Sequence, residues 1–201
     1  MDVADRYGMR IEAVISTHVH ADHRSGNREL VARTGAAGYF HASADVRYPF
    51  APLADGAEIS LGNVVIRVLH TPGHTPESMS LLITDRSRAP EPWMVLTGDT
   101  LFVGDVGRPD FGGEDAGRAL HASLQRLLAL SDYVEVYPAH ISGSPCGRAM
   151  SGKPSSTIGF ERRHNAALQH ADRDAFVAAL FEGLPKKPPG FTDMIATNRA
   201  G

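Results

Sequence analysis

The sequence predicts a mixed α/β fold. Two observations carry this. Short apolar runs rich in Val, Ile and Leu alternate with longer segments of helical period, and residues of metal-binding type stand where the apolar runs end. The first run, residues 11–17 (IEAVIST), has the length of a buried strand and leads into His18. Residues 24–34 are predicted as a helix ending near Gly35. Two strands follow at 64–70 (VVIRVLH) and 78–84 (SMSLLIT), joined by the turn-rich TPGHTPE. WMVLTG at 93–98 is a further strand and delivers Asp99. From Glu114 to Leu130 the pattern is helical, with Leu120, Leu124, Leu127 and Leu128 at i, i+4, i+7 and i+8 on one face. YVEVYP at 133–138 is a strand that delivers His140. Residues 156–170 and 172–182 are predicted as two closing helices, the second N-capped by Asp172. The tail around PKKPPG is expected to wrap the surface.

The 201 residues suit one domain, 1–201, with a real core. A formal net charge of −3 gives no basic footprint for nucleic acid and no polybasic membrane patch. No run reaches the roughly 18 apolar residues of a membrane span. MDVADRYGMR has charge but no apolar core, so a secretory leader is not expected there. Cys146 is the single cysteine, which excludes an internal disulfide and suggests a reducing cytoplasm. The Gly-rich stretches SGSPCG and VGDVGRP lack the Lys-Ser/Thr ending of a phosphate loop. The residues leave the oligomeric state open, a homo-oligomer included.

Chemistry concentrates in His18, His20, Asp22, His23, His74, Asp99 and His140. In an extended segment residues i and i+2 point the same way, so His18 and His20 can converge on one point. Asp22 and His23 follow a turn and can serve a second. Neutral imidazole and carboxylate are the usual ligands of zinc and iron. Pro72 and Pro76 stiffen the loop around His74, and Gly73 lets it bend. Three imidazoles and a carboxylate within six residues would be costly to bury without a ligand. The isolated His41, His70, His121, His164 and His170 are read as ordinary surface or core residues.

THVHADH, TPGHT, TGDTLF and YPAH, in that order, resemble the metallo-β-lactamase superfamily. The resemblance implies an αββα sandwich with a metal site along one edge of its two sheets. Two branches fit. The glyoxalase II type is a dinuclear zinc thioester hydrolase. Its pattern would place His18, His20 and His74 on one Zn(II), Asp22, His23 and His140 on the other, and Asp99 between them. The persulfide dioxygenases bind one Fe(II). Their pattern assigns His18, His74 and Asp99 as a 2-His-1-carboxylate triad with open positions for O₂ and substrate. His20, Asp22, His23 and His140 then orient ligands and shape the pocket.

THVHADHRSGN, HTPES, LFVGDVGRPDF, SGSPCGRAMSGKPSSTIGFERR and the closing Asn198-Arg-Ala-Gly resemble the bacterial persulfide dioxygenases that are often fused to rhodanese domains. That branch implies oxidation of a low-molecular-weight thiol persulfide by O₂ to sulfite and thiol. Arg108 and Asp110 lie in the loop after the metal aspartate. Arg108 either faces the substrate or pins a Gly-rich loop. By resemblance Cys146 lies near the site, as a sulfur acceptor or as an inert small hydrophobe. Glutathione-using relatives carry an Asp-Tyr pair after the last motif histidine. Here His140-Ile141-Ser142 stands instead, which argues against glutathione as the carrier. Family members usually open with two or more strands ahead of THVHADH, and no rhodanese domain follows Gly201. The chain is therefore expected to lack those first strands, leaving a sheet edge uncovered. An inactive metal-binding remnant is the reading this shortness would favour.

Overall fold

The computed structural model describes residues 2–109, 112–142, 144, 146–170, 172–184 and 186–201. Among the described residues nine strands and six helices follow in the order α1 (Asp2–Arg6), β1 (Ala13–Ile15), α2 (Asn27–Thr34), β2 (Ala37–His41), β3 (Ala51–Leu53), β4 (Glu58–Leu61), β5 (Val64–His70), β6 (Met79–Asp85), β7 (Met94–Gly98), α3 (Gly113–Leu128), β8 (Glu135–Pro138), β9 (Ser156–Thr157), α4 (Ile158–His164), α5 (Arg173–Phe181) and α6 (Phe191–Ala200). A 3₁₀ turn spans Ala166–Leu168 between α4 and α5.

Two sheets form. One is parallel, in the order β1-β2-β3, and the other runs β4-β5-β6-β7-β8-β9. The larger sheet is antiparallel except for the parallel pair β7–β8. Strand alternation sorts its side chains onto two faces. Val68, Leu81, Ile83 and Leu96 pack toward Leu53, Ile15 and Tyr39 of the small sheet. Leu69, Leu82, Val95 and Val136 point the other way, onto Leu120, Leu124 and Leu127 of α3 and Phe176, Val177 and Leu180 of α5. Beyond the small sheet lies α2, whose Val31 stands over Gly38 of β2. The layers are therefore helix, sheet, sheet, helix, which is the αββα sandwich expected.

The strands at 64–70, 78–84 and 93–98 and the helix from Glu114 appear within a residue or two of their predicted places. Gly35 caps α2 in the left-handed conformation, and Asp172 caps α5 through the Ala175 N–H. The first strand is shorter than 11–17 and only half-buried, because β1 is an edge of the small sheet. The segment 156–170 is not one helix. It is β9, α4 and the 3₁₀ turn, broken where the Asn165 side chain accepts from Ala167 N. The tail does more than wrap the surface. Gly190, the last residue of PKKPPG, has φ 86° and opens α6. The sequence reading missed β2, β3 and β4. AGYFH lacks alternation, and the three-residue β3 contains Pro52, which is tolerated because β3 is also an edge strand.

This topology builds one working edge. β7 and β8 are parallel, so Asp99 and His140 leave their carboxyl ends side by side. The register shifts between Leu96 and Gly98, which turns the chain toward the edge as β7 ends. β5 ends at His70 and feeds the His74 loop. β1 ends three residues before His18, and Met79 N donates to Thr17 O at 2.9 Å, tying the two sheets together there.

Candidate metal centre

His18, His74 and Asp99 come together as one buried cluster, each 2% exposed or less. His18 is held on its far side by Thr17 Oγ1, 3.0 Å from Nδ1. The next residue, Val19, donates its N–H to the buried Glu77 carboxylate at 2.9 Å. His74 sits in the Pro-Gly loop as predicted. Its Nδ1 donates to the Arg108 carbonyl at 3.0 Å, which turns Nε2 toward Asp99 Oδ2. Gly73 has φ 142°, and a Cβ there would lie 2.5 Å from Leu120 Cα, so the loop lies directly against α3.

Asp99 divides its two oxygens. Oδ1 pairs with His140 Nδ1 at 2.8 Å. Oδ2 faces His74 Nε2 at 3.5 Å and His18 Nε2 at 3.8 Å, and it is buried without a hydrogen-bond partner. An orphaned carboxylate oxygen between two imidazole nitrogens is expensive in a protein interior. Ligands about 2.0–2.2 Å from a shared ion stand roughly 3 to 3.5 Å apart. The donor set, its spacing and the orphaned oxygen therefore fit a divalent metal.

Electrostatics agree. Burial lowers His18 to about 3, against the pull of Asp99, so its imidazole is neutral and ready to ligate. Burial alone would raise Asp99, but His18, His140 and His74 outweigh it and hold the group well below the usual carboxylate range. His140 is raised to about 9, first by its hydrogen bond to Asp99.

The remaining predicted residues surround this cluster. His20 packs its ring 4.4 Å from that of His18, and burial lowers it to about 4. It is not part of the His18–His74–Asp99 group. Among the described residues, its ligand atom clusters instead with those of Asp22 and His23. Asp22 also clusters with His140 and Cys146. Its Oδ1 pairs with His23 Nδ1 at 2.9 Å and its Oδ2 with His140 Nε2 at 2.8 Å. Cys146 is buried, and burial and the nearby Asp99 push its thiol up, so it is held protonated rather than as a thiolate. Arg108 is buried, and its carbonyl orients His74. Asp110 lies outside the described residues.

Sequence reasoning missed several supporting groups. Glu77 carried a signal only as part of HTPES. Glu161 is fully buried, and its Oε2 accepts from Gly104 N and Asn165 Nδ2, both at 2.9 Å. Asp105 accepts from Arg148 N and Ala149 N. These bonds join the loop after Asp99 to the stretch after His140. Asn198, near the chain's last residue, bonds the backbone around His20–Ser25.

Two histidines and an aspartate at strand ends, on the edge of a two-sheet sandwich, define a metal-binding α/β domain. The chain belongs to the metallo-β-lactamase superfamily, whose family model it matches over residues 5–140. It is similar to a metallo-β-lactamase of Staphylococcus aureus subsp. aureus COL, with TM-score 0.92 and 34% identity, covering 100% of this chain and 61% of that one. It is also similar to ETHE1 from Myxococcus xanthus, with TM-score 0.84 and 30% identity over 99% of this chain and 81% of that one. A hydroxyacylglutathione hydrolase of Anaeromyxobacter dehalogenans is 35% identical over 171 residues, 84% of this chain and 64% of its own length. The chain thus spans less than two thirds of the staphylococcal protein and of the hydrolase. Among the described residues no helix is long and apolar enough to cross a membrane.

Proposed function

We propose that the chain is an Fe(II)-dependent persulfide dioxygenase, with one iron held by His18, His74 and Asp99. The observation that carries this reading is the composition of the buried cluster: two imidazoles and one carboxylate, with His20 outside it. The resemblance of its loops to the persulfide dioxygenases and the likeness to ETHE1 support it. Asp22 pairs with His23 and His140, the residues that the dinuclear pattern sets with it on a second ion, so this contact favours neither reading.

When bound, iron supplies an open, redox-active position for O₂ and the persulfide's terminal sulfur. The overall reaction converts R–S–SH, O₂ and water to R–SH and sulfite. The outer sulfur loses four electrons, O₂ gains them, and water provides the third sulfite oxygen. The protein's own part is positional. Two imidazoles and one carboxylate would leave a divalent ion held there with one residual positive charge, suited to an anionic persulfide. His140, raised to about 9, is protonated and donates from both ring nitrogens, to Asp99 Oδ1 and Asp22 Oδ2. That fixes the carboxylate plane so that Oδ2 faces the ligand nitrogens. Arg108 and Asp110 are assigned to the substrate, a low-molecular-weight thiol persulfide. The buried Cys146 thiol stands beside Asp22 and His140, where its protonated state disfavours attack on sulfur unless a proton is first removed. A reducing cytoplasm suits this chemistry.

The test is O₂ uptake by anaerobically iron-loaded protein given glutathione persulfide or cysteine persulfide. One sulfite per O₂ is the expected result. The alternative is a dinuclear zinc thioester hydrolase, favoured by the hydroxyacylglutathione hydrolase relative. Thioester cleavage by the zinc form with no O₂ uptake by the iron form would establish it. His20→Ala separates the two readings independently. In the mononuclear reading the variant keeps its metal, close to the wild-type content by elemental analysis. Loss of the metal would place His20 among the ligands.

A further inference from the structure

The last helix reaches back to the metal loop. Asn198 of α6 is 5% exposed and uses both ends of its amide there. Its Oδ1 accepts from Ser25 N at 2.8 Å. Its Nδ2 donates to the carbonyls of His20 and His23, each at 2.9 Å. Those two carbonyls bracket Ala21 and Asp22, in a stretch outside any helix or strand. One side chain from the far end of the chain therefore supplies donors that no secondary structure supplies.

The helix itself is tied down beside this contact. Arg47 N donates to Arg199 O at 2.7 Å, Arg199 pairs with Asp45 at 3.2 Å, and Arg28 donates to Gly201 O at 2.8 Å. Asp22, bracketed by the two held carbonyls, bonds His140 Nε2, and His140 Nδ1 bonds Asp99 Oδ1. A continuous line of hydrogen bonds and two residues of backbone thus runs from Asn198 to the carboxylate of the metal cluster.

We infer that Asn198 is a positioning residue of the metal centre: it sets the place of Asp22 and, through His140, the orientation of Asp99. The inference rests on the metal cluster and not on the dioxygenase reading, since any divalent ion at His18, His74 and Asp99 meets the same carboxylate. Groups bonded directly to a metal ligand, as His140 is to Asp99, commonly change its affinity about 10- to 100-fold when removed, and Asn198, acting through Asp22 and His140, belongs at the low end.

The experiment is Co(II) titration of the full chain, reading affinity and the visible absorption of the bound ion, alongside thermal melting. Asn198→Asp keeps the acceptor for Ser25 N and removes both donors, facing the His20 and His23 carbonyls with a carboxylate. Where it folds it should bind Co(II) up to about tenfold more weakly, with an altered spectrum, and it should melt lower than wild type because a buried carboxylate then faces two carbonyls. Arg199→Ala loosens the same helix at Asp45 without touching the loop, and should keep both affinity and spectrum. Asn198→Ala, which adds no charge, is the second variant should the aspartate fail to fold. A wild-type affinity and spectrum in either folded Asn198 variant overturns the inference. So does unfolding of both, because Asn198 would then serve the fold and not the site.

Discussion

Asp99→Asn should leave the protein without its metal. The substitution preserves size and shape, so packing under the residue is unchanged. It removes the one negative charge in a cluster otherwise made of imidazoles. It also forces a choice on the amide. If its NH₂ takes the place of Oδ2, a donor points at His18 Nε2 and His74 Nε2, where a cation belongs. If it takes the place of Oδ1, it faces His140 Nδ1, which accepts from it only once the ring is neutral with its proton on Nε2 toward Asp22. Affinity should fall by more than about 100-fold, beyond what loss of an outer partner costs. Elemental analysis of the purified variant checks this, and wild-type metal content would remove Asp99 from the ligands. A second readout needs no metal. His140 is raised to about 9 chiefly by Asp99, so its ring should titrate markedly lower in the metal-free variant, as followed by NMR. The sign follows for stability. A histidine whose folded pKa is raised stabilises the fold fully below its unfolded value near 6.5, and that contribution fades as pH rises through about 9. Metal-free wild type should therefore lose more stability than Asp99→Asn between those two pH values.

The aspartate was legible in the sequence because an apolar strand aimed it, as were His18, His74 and His140. Long, strongly periodic segments such as β5, β6 and α3 were legible for the same reason: their pattern and their burial coincide. The short strands of the small sheet were not. β1 and β3 are its edges and β2 alone is flanked on both sides, so none needed a long apolar run. The division of the HxHxDH segment also lies beyond sequence. Spacing shows that His18 and His20 can share a face. Only the tertiary arrangement puts Asp99 beside one and leaves the other with Asp22 and His23. Asn198 and Glu161 carried a signal only inside longer strings, because most of their partners are backbone groups, and backbone groups have no letter in a sequence. Gly107 is the sharpest such case, since what matters there is the absence of a side chain.

Gly107→Ala should damage fold and site together. A Cβ at this position would stand 1.8 Å from the Asp99 carbonyl oxygen, 3.0 Å from its carbonyl carbon and 3.3 Å from His74 Cβ. The obstructing atoms are backbone, so no rotamer change relieves the clash. Gly107 N also donates to Thr100 O at 3.2 Å, and Leu101 bridges Val106, so the two sides of this narrow hairpin cannot part without breaking those bonds. The adjacent Arg108 carbonyl fixes the His74 ring. Moving residue 107 away from Asp99 therefore shifts a second ligand as well. Overpacking a well-filled interior costs about 1–3 kcal/mol and at times more, and a backbone clash belongs at the upper end, roughly 3 kcal/mol. Gly152→Ala is the control. Its new Cβ would meet only Ser142 Oγ at 3.6 Å, an ordinary contact, and stability should stay within about 0.5 kcal/mol of wild type. Urea unfolding of the metal-free proteins, followed by metal titration of whatever remains folded, separates the two effects. A Gly107→Ala protein with wild-type midpoint and affinity would mean that the loop after Asp99 is looser than its bonds to Thr100, Glu161 and Asn165 imply.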